Sequence, residues 1–330
     1  MDLWGGSMWP DDVDEILGGD QVVVLAYTTP ADGVILTPLT NFGLRDREAG
    51  RLNAVNSSVA AWRKLDRIRR SPRIALAYHT RTHGFSDRPE YVLVQGTASL
   101  SQPDPHYPKA IQPTWERFAG PVDVGALWNW WLRAYNFRVE IQIAIERVIA
   151  WPDRACLGTP AIYGSPVRGE PAEQRPPAKG TAPRIRHRRA ARRAAKLPNV
   201  LLGWVGSDGF PLVVPVGVNG ASDDGMVLEA PPGLVPRGGR RAGMLAHSFA
   251  RYTAGQHQRR HSGWLEAEPG ERRILYAPHT DHGYHMPSSM FVYRVSAGAG
   301  TRLWMRRARR AGIAPAVRSG PWTPSSNSAS

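Results

Sequence analysis

Asn56-Ser57-Ser58, then Trp62-Arg63-Lys64, then Pro72-Arg73-Ile74-Ala75-Leu76-Ala77-Tyr78 is the stretch whose reading decides the fold. A strand-like run from Arg51 to Val55 enters a short polar turn. A helix from about Ala60 to Arg70 follows, with Arg63 and Lys64 near its start, and an apolar strand opens after Pro72. Backbone N–H groups at the helix start and two cations beside them form an anion site able to hold one phosphate.

Outward from this unit the pattern stays β-rich. Residues 10 to 18 read as a short helix, with Pro and acids at its start and Gly at its stop. Gln21 to Tyr27 and Val34 to Leu39 are apolar runs joined by a turn containing Pro30-Ala31-Asp32-Gly33, a hairpin signal. Further strands are expected at 73–79, 91–100 and 138–149, with a second long helix near 123–135. Short strands with one or two intervening helices suggest a closed or split barrel.

Gly164 to Lys196 is rich in Pro, Gly and Arg without an apolar period, and reads as a linker with a helical Arg-rich end. Beyond it the chain begins again in the same way. Asn199-Val200-Leu201-Leu202-Gly203-Trp204, Ser207-Asp208-Gly209 and Leu212-Val213-Val214-Pro215 echo Val22 to Tyr27, Asp32-Gly33 and Val34 to Pro38. An internal duplication is the economical explanation.

A chain of 330 residues, 42% hydrophobic, can supply two cores. Its net charge of +14 is concentrated: residues 165–196 carry +8, residues 294–330 carry +7, and the remainder is nearly neutral. Nucleic-acid binding by the linker is therefore a subordinate expectation, and that segment has no aromatic platform. No apolar run approaches a bilayer span and no leader-like start is visible, so a cytoplasmic protein without a membrane partner is expected. The one cysteine, Cys156, excludes an internal disulfide framework and a multi-thiolate metal cage. No Gly-x-Ser-x-Gly elbow supports a hydrolase.

In the order and spacing of these pieces the first half resembles the pyridoxamine 5'-phosphate oxidase-like superfamily, the flavin-binding split barrels that include deazaflavin (F420) members. The resemblance rests on Thr37-Pro38-Leu39-Thr40, Asn56-Ser57-Ser58, Arg63-Lys64, Pro72 and Val92-Leu93-Val94-Gln95-Gly96-Thr97-Ala98. It covers about residues 20–151 and extends more faintly to 208–215. It implies a mainly β fold with helices, as tandem split β-barrels, and leaves open whether the second is degenerate. The implied organisation is a cofactor-binding barrel over 1–163, the linker over 164–196, a second barrel over 197–312 and a disordered tail over 313–330. It also implies that Arg63 and Lys64 hold the phosphate of FMN or F420, while Ser57 and Ser58 meet the ribityl chain or ring edge. Thr37, Pro38 and Tyr91 complete the cofactor-binding set. The oxidase that names the superfamily carries a basic residue near Thr37 and a Gln where Tyr91 stands, so its own reaction is not expected here.

The expected function is a flavin- or deazaflavin-binding oxidoreductase acting on an unidentified small molecule, with no catalytic residue assigned. A homodimer or an intramolecular pairing of the barrels would complete it. The alternative is a non-catalytic or haem- or metal-binding tandem barrel. Six of the ten His lie between His247 and His285, with His257 and His261 at i, i+4 spacing; hydrogen-bonding roles are the favoured reading, and no metal site is assigned. Gly238-Gly239-Arg240-Arg241-Ala242-Gly243 reads as a solvated loop, and Trp128, Trp130 and Trp131 as core or dimer contacts.

Overall fold

In the computed structural model, residues 8–268 and 272–310 are described. The tail expected at 313–330 lies outside them. The first half is α1 (Asp11–Gly19), β1 (Val22–Thr28), β2 (Val34–Thr40), β3 (Arg45–Asp46), β4 (Arg51–Ser58), α2 (Trp62–Arg70), β5 (Arg73–Tyr78) and β6 (Tyr91–Leu100). It continues through α3 (Tyr107–Ala110), α4 (Gln112–Ala119), α5 (Ala126–Asn136), β7 (Arg138–Trp151) and β8 (Ala161–Gly164). After α6 (His187–Ala194) the second half runs β9 (Asn199–Val205), β10 (Pro211–Pro215), β11 (Gly217–Ala221), β12 (Met226–Glu229), β13 (Gly238–Ser248), β14 (His257–Ala267), β15 (Arg273–Pro278), β16 (His282–His285) and α7 (Met290–Arg310).

Each half curls one antiparallel sheet around an apolar interior. The strand order is β2-β1-β5-β6-β7-β4-β3 in the first and β10-β9-β13-β14-β15-β12-β11 in the second. Renumbered from each half's first strand, the two orders are identical. The fold is a pair of split barrels, as the resemblance implies, and the registers of the first strands correspond residue for residue. Val24 pairs with Ala77 as Leu201 pairs with Leu245, and Pro38 faces Val24 as Pro215 faces Leu201. Gly96 and Gly263 hold one position: a Cβ on either would stand 2.4 or 2.3 Å from the carbonyl oxygen of Ala144 or Ala277. A side chain there would force neighbouring strands apart, which is why a β-rich run carries glycine.

The strands form where the apolar runs lie because both faces are covered: Val22 to Tyr27 is buried throughout. Within the first barrel, Val23, Leu25, Ile74, Leu76, Val92, Val94 and Ile141 make a core beneath α1 and α2. In the second, Leu202, Trp204, Met244, Leu265 and Tyr276 do the same. The helical end of the linker belongs to this core, since Ala190, Ala191 and Ala194 of α6 pack into it. The opposite faces of the two sheets meet in a third cluster, with Val24, Leu36, Ala77 and Leu93 from one half against Leu201, Val213 and Leu245 from the other. Polar ties cross the same seam: the Tyr91 hydroxyl donates to Val213 O at 2.6 Å, Gln95 to Pro211 O at 2.7 Å, and Arg147 pairs with Asp208.

Two sequence expectations are corrected here. His257 and His261 lie on β14, where i, i+4 residues are about two pleats apart, instead of on one helical turn. Gly238 to Gly243 opens β13, and Arg240 is among the most buried side chains. The periodicity of both segments was masked by Arg and His in positions that the second half covers.

Candidate functional site

α2 positions Lys64 by amphipathicity. Leu65 and Ile68 face the core, so Lys64 lies half-buried beside them while Arg63 stays exposed and stacks on Trp62 at 5.2 Å. The two expected phosphate ligands are thus separated. Lys64 instead feels the charges of two arginines that sequence reading did not single out: Arg138, at the start of β7, and Arg260, on β14 of the other half. Desolvation, reinforced by the like charges of Arg260 and Arg138, pushes the Lys64 ammonium down to about 7.

Among the described residues, none of these three cations enters a salt bridge. The buried Nε atoms of Arg138 and Arg260 have no hydrogen-bond partner. Arg138 is held by aromatic faces, 4.1 Å from Tyr135 and 5.4 Å from Trp115, and Arg260 reaches Thr37 Oγ1 at 3.5 Å. Gathering three cations out of water without a counter-ion is unfavourable unless an anion joins them. The donor set fits a phosphate: one point charge and two guanidinium groups with free N–H.

Beside them is a cavity of about 210 Å³ whose lining includes Pro38, Thr40, Asn56, Tyr135, Tyr284 and Arg294. Its wall contains two consecutive non-glycine residues with positive φ, Tyr252 (59°) and Thr253 (56°), and Thr253 Oγ1 is 3.0 Å from Thr40 Oγ1. Such a conformation is unfavourable for a β-branched residue and concentrates at functional sites. Burial raises the Tyr284 hydroxyl to about 12 and the Tyr293 hydroxyl well above its ordinary value, and the Tyr135 and Tyr293 hydroxyls share a hydrogen bond at 2.7 Å.

Of the residues expected from sequence, Thr37, Pro38 and Lys64 come to this region. Ser58 uses its Oγ to accept from Ala60 N at 3.2 Å, capping the 3₁₀ turn before α2, and Ser57 is buried next to it. Tyr91 is fully buried in the seam between barrels. Arg138 had only a local signal, a basic residue opening a strand. Arg260 had none, because it is recruited across the seam from more than a hundred residues away.

The histidine-rich region has a different arrangement. His79 and His247 occupy one register position in the two halves and meet Nε2 to Nε2 at 2.9 Å. Among the described residues no group of three or more His, Cys, Asp or Glu is placed to hold a metal ion. No described helix is long and apolar enough to cross a membrane.

No family model matches the chain and no curated protein matches it. Solved structures similar to it include a protein of Clostridium acetobutylicum related to general stress protein 26, described as of the pyridoxinephosphate oxidase family: 11% identity over 46% of this chain and 92% of that one, TM-score 0.32. A conserved hypothetical protein of Mycobacterium tuberculosis is 20% identical over 51% of this chain and 98% of its own, TM-score 0.32. A pyridoxamine 5'-phosphate oxidase-related, FMN-binding protein of Nostoc punctiforme is 12% identical over 60% and 87%, TM-score 0.27.

Proposed function

We propose that this chain binds one phosphate-bearing flavin, FMN or the deazaflavin F420, in the cleft between its barrels, and acts in the cytoplasm as an oxidoreductase on a small molecule. The observation that carries the reading is the clustering of the Lys64, Arg138 and Arg260 charges, none of which enters a salt bridge among the described residues. The resemblance of residues 20–151 to the flavin-binding split barrels supports it. Such a cofactor supplies hydride or electron transfer from its ring. The protein's own part is to seat the tail on the three cations and to place the ring against the cavity, where phenol hydroxyls, Thr253 and the Asn56 amide orient it and a substrate by hydrogen bonds.

The test is an absorption and fluorescence titration of the purified full chain with FMN and with F420. Saturable binding of one of them, weakened at least about tenfold in Lys64→Met and in Arg260→Leu, is expected, since a charge-assisted bond contributes roughly 1.5–3 kcal/mol. A chain that is colourless and binds neither cofactor overturns the reading.

A further inference from the structure

α7 is apolar on both sides. Ala297, Thr301, Met305 and Ala308 face inward, while Val292, Val295 and Leu303 recur on the outer surface and are 40–47% exposed. α5 packs along it, with the Trp131 indole N–H donating to Arg294 O at 3.1 Å, and adds Leu127 (72% exposed) and Trp130 (52%). Phe291, 65% exposed, closes the patch by packing edge-on against Trp128. Of the twelve exposed large apolar side chains among the described residues, eight lie on these two helices. A soluble surface seldom gathers apolar groups this way without a partner.

The charges around the patch narrow the partner. Neither α5 nor α7 contains an acid, and seven arginines lie between Arg294 and the C-terminus. Arg302 spreads over Trp130 and Trp131 at 4.6 and 4.1 Å, so aromatic rings and guanidinium groups share one surface. A second copy docked on this face would set arginine against arginine with no carboxylate in reply. A nucleic acid would answer the charge and leave Val292, Val295 and Leu303 uncovered.

We propose that the α5–α7 face is a docking surface for an anionic lipid membrane, which the protein meets from one side without crossing. Aromatic and aliphatic side chains enter the headgroup boundary while the arginines neutralise anionic headgroups, about 1 kcal/mol for each near the surface. The inference is independent of which cofactor the cleft holds.

The experiment is sedimentation of the full chain with vesicles of phosphatidylcholine alone or with a minority of phosphatidylserine. Binding at least about tenfold stronger to the anionic vesicles, weakening as salt is raised, is expected. The exposed-site variants Leu127→Ser, Trp130→Ser and Leu303→Ser lose it at unchanged thermal stability, and Arg306→Gln with Arg307→Gln weakens it. No binding to anionic vesicles by the folded wild type overturns the proposal. So does a solution dimer that the serine variants dissolve, or binding to RNA that the same variants leave intact, with vesicles ignored.

Discussion

A buried cation without a partner destabilises the empty protein and strengthens binding of its ligand, so one substitution should move the two properties in opposite directions. Arg260 provides the cleanest case, because the other half carries Leu93, fully buried, at the matching register position. Arg260→Leu should raise the melting temperature of the cofactor-free chain and lower its affinity for FMN or F420; calorimetry with and without cofactor reads both. Lys64 adds a pH dependence. Its ammonium, down at about 7 in the empty site, is restored upward by a bound phosphate, so above pH 7 binding must take up a proton. Affinity should be flat just below pH 7 and fall toward tenfold per pH unit above it, with proton uptake visible by calorimetry at pH 8 in buffers of different ionisation heat. Lys64→Met should abolish the uptake. The His79–His247 pair titrates on the other side of neutrality. Burial lowers both, His79 to about 4, with Arg81 adding to the effect on His79; the Ala77 carbonyl opposes it there, and Phe249 stacks on His247. An imidazole that is neutral when folded contributes stability that is complete above about pH 6.5 and is lost between there and pH 4, roughly 3 kcal/mol for His79. Denaturant midpoints measured from pH 7 to pH 4.5 should show that loss, and the double variant His79→Gln, His247→Gln should flatten it.

At the scale of elements, what was legible was what neighbours in sequence decide. The hairpin of β1 and β2, the helix α2 and the strand after Pro72 announce themselves through alternation, turn residues and amphipathic spacing, and each forms where expected. The illegible elements are those whose pattern a distant segment sets. β13 holds Arg240 in the interior because Pro171 O and Arg237 O accept from its guanidinium, against a burial that disfavours its charge, and no local rule anticipates a buried arginine opening a strand. The candidate site splits likewise: Lys64 lies in the decisive stretch, whereas Arg138 and Arg260 join it only through β7 and the seam. Gly96 and Gly263 carry the testable part. Alanine at either drives a methyl into a strand carbonyl that cannot swing away, so Gly96→Ala and Gly263→Ala should each cost about 2 kcal/mol or more in urea unfolding. A loss of only a few tenths at both would mean that the strands spread freely there.

The molecule as a whole is a dimer written in one chain, and its two clefts are no longer alike. Register places Val214 where the first cleft has Thr37 and Leu93 where it has Arg260, both buried and apolar. The connection from β12 to β13 contains no helix, so Lys64 has no counterpart, and in the second cavity of about 570 Å³ Glu229 faces Arg272 at 3.7 Å, with Arg154 also in the lining. A site without the lysine, in which a carboxylate already answers one of the two arginines, holds an anion less well than the first cleft. Complete loading should therefore give one bound cofactor per chain, read from cofactor absorbance against protein concentration after gel filtration. Because Arg260 comes from the second half, residues 8–163 alone should lose most of the affinity, and adding residues 165–310 as a separate chain should restore part of it. Two equivalents per chain would show that the cation cluster is not what selects the ligand.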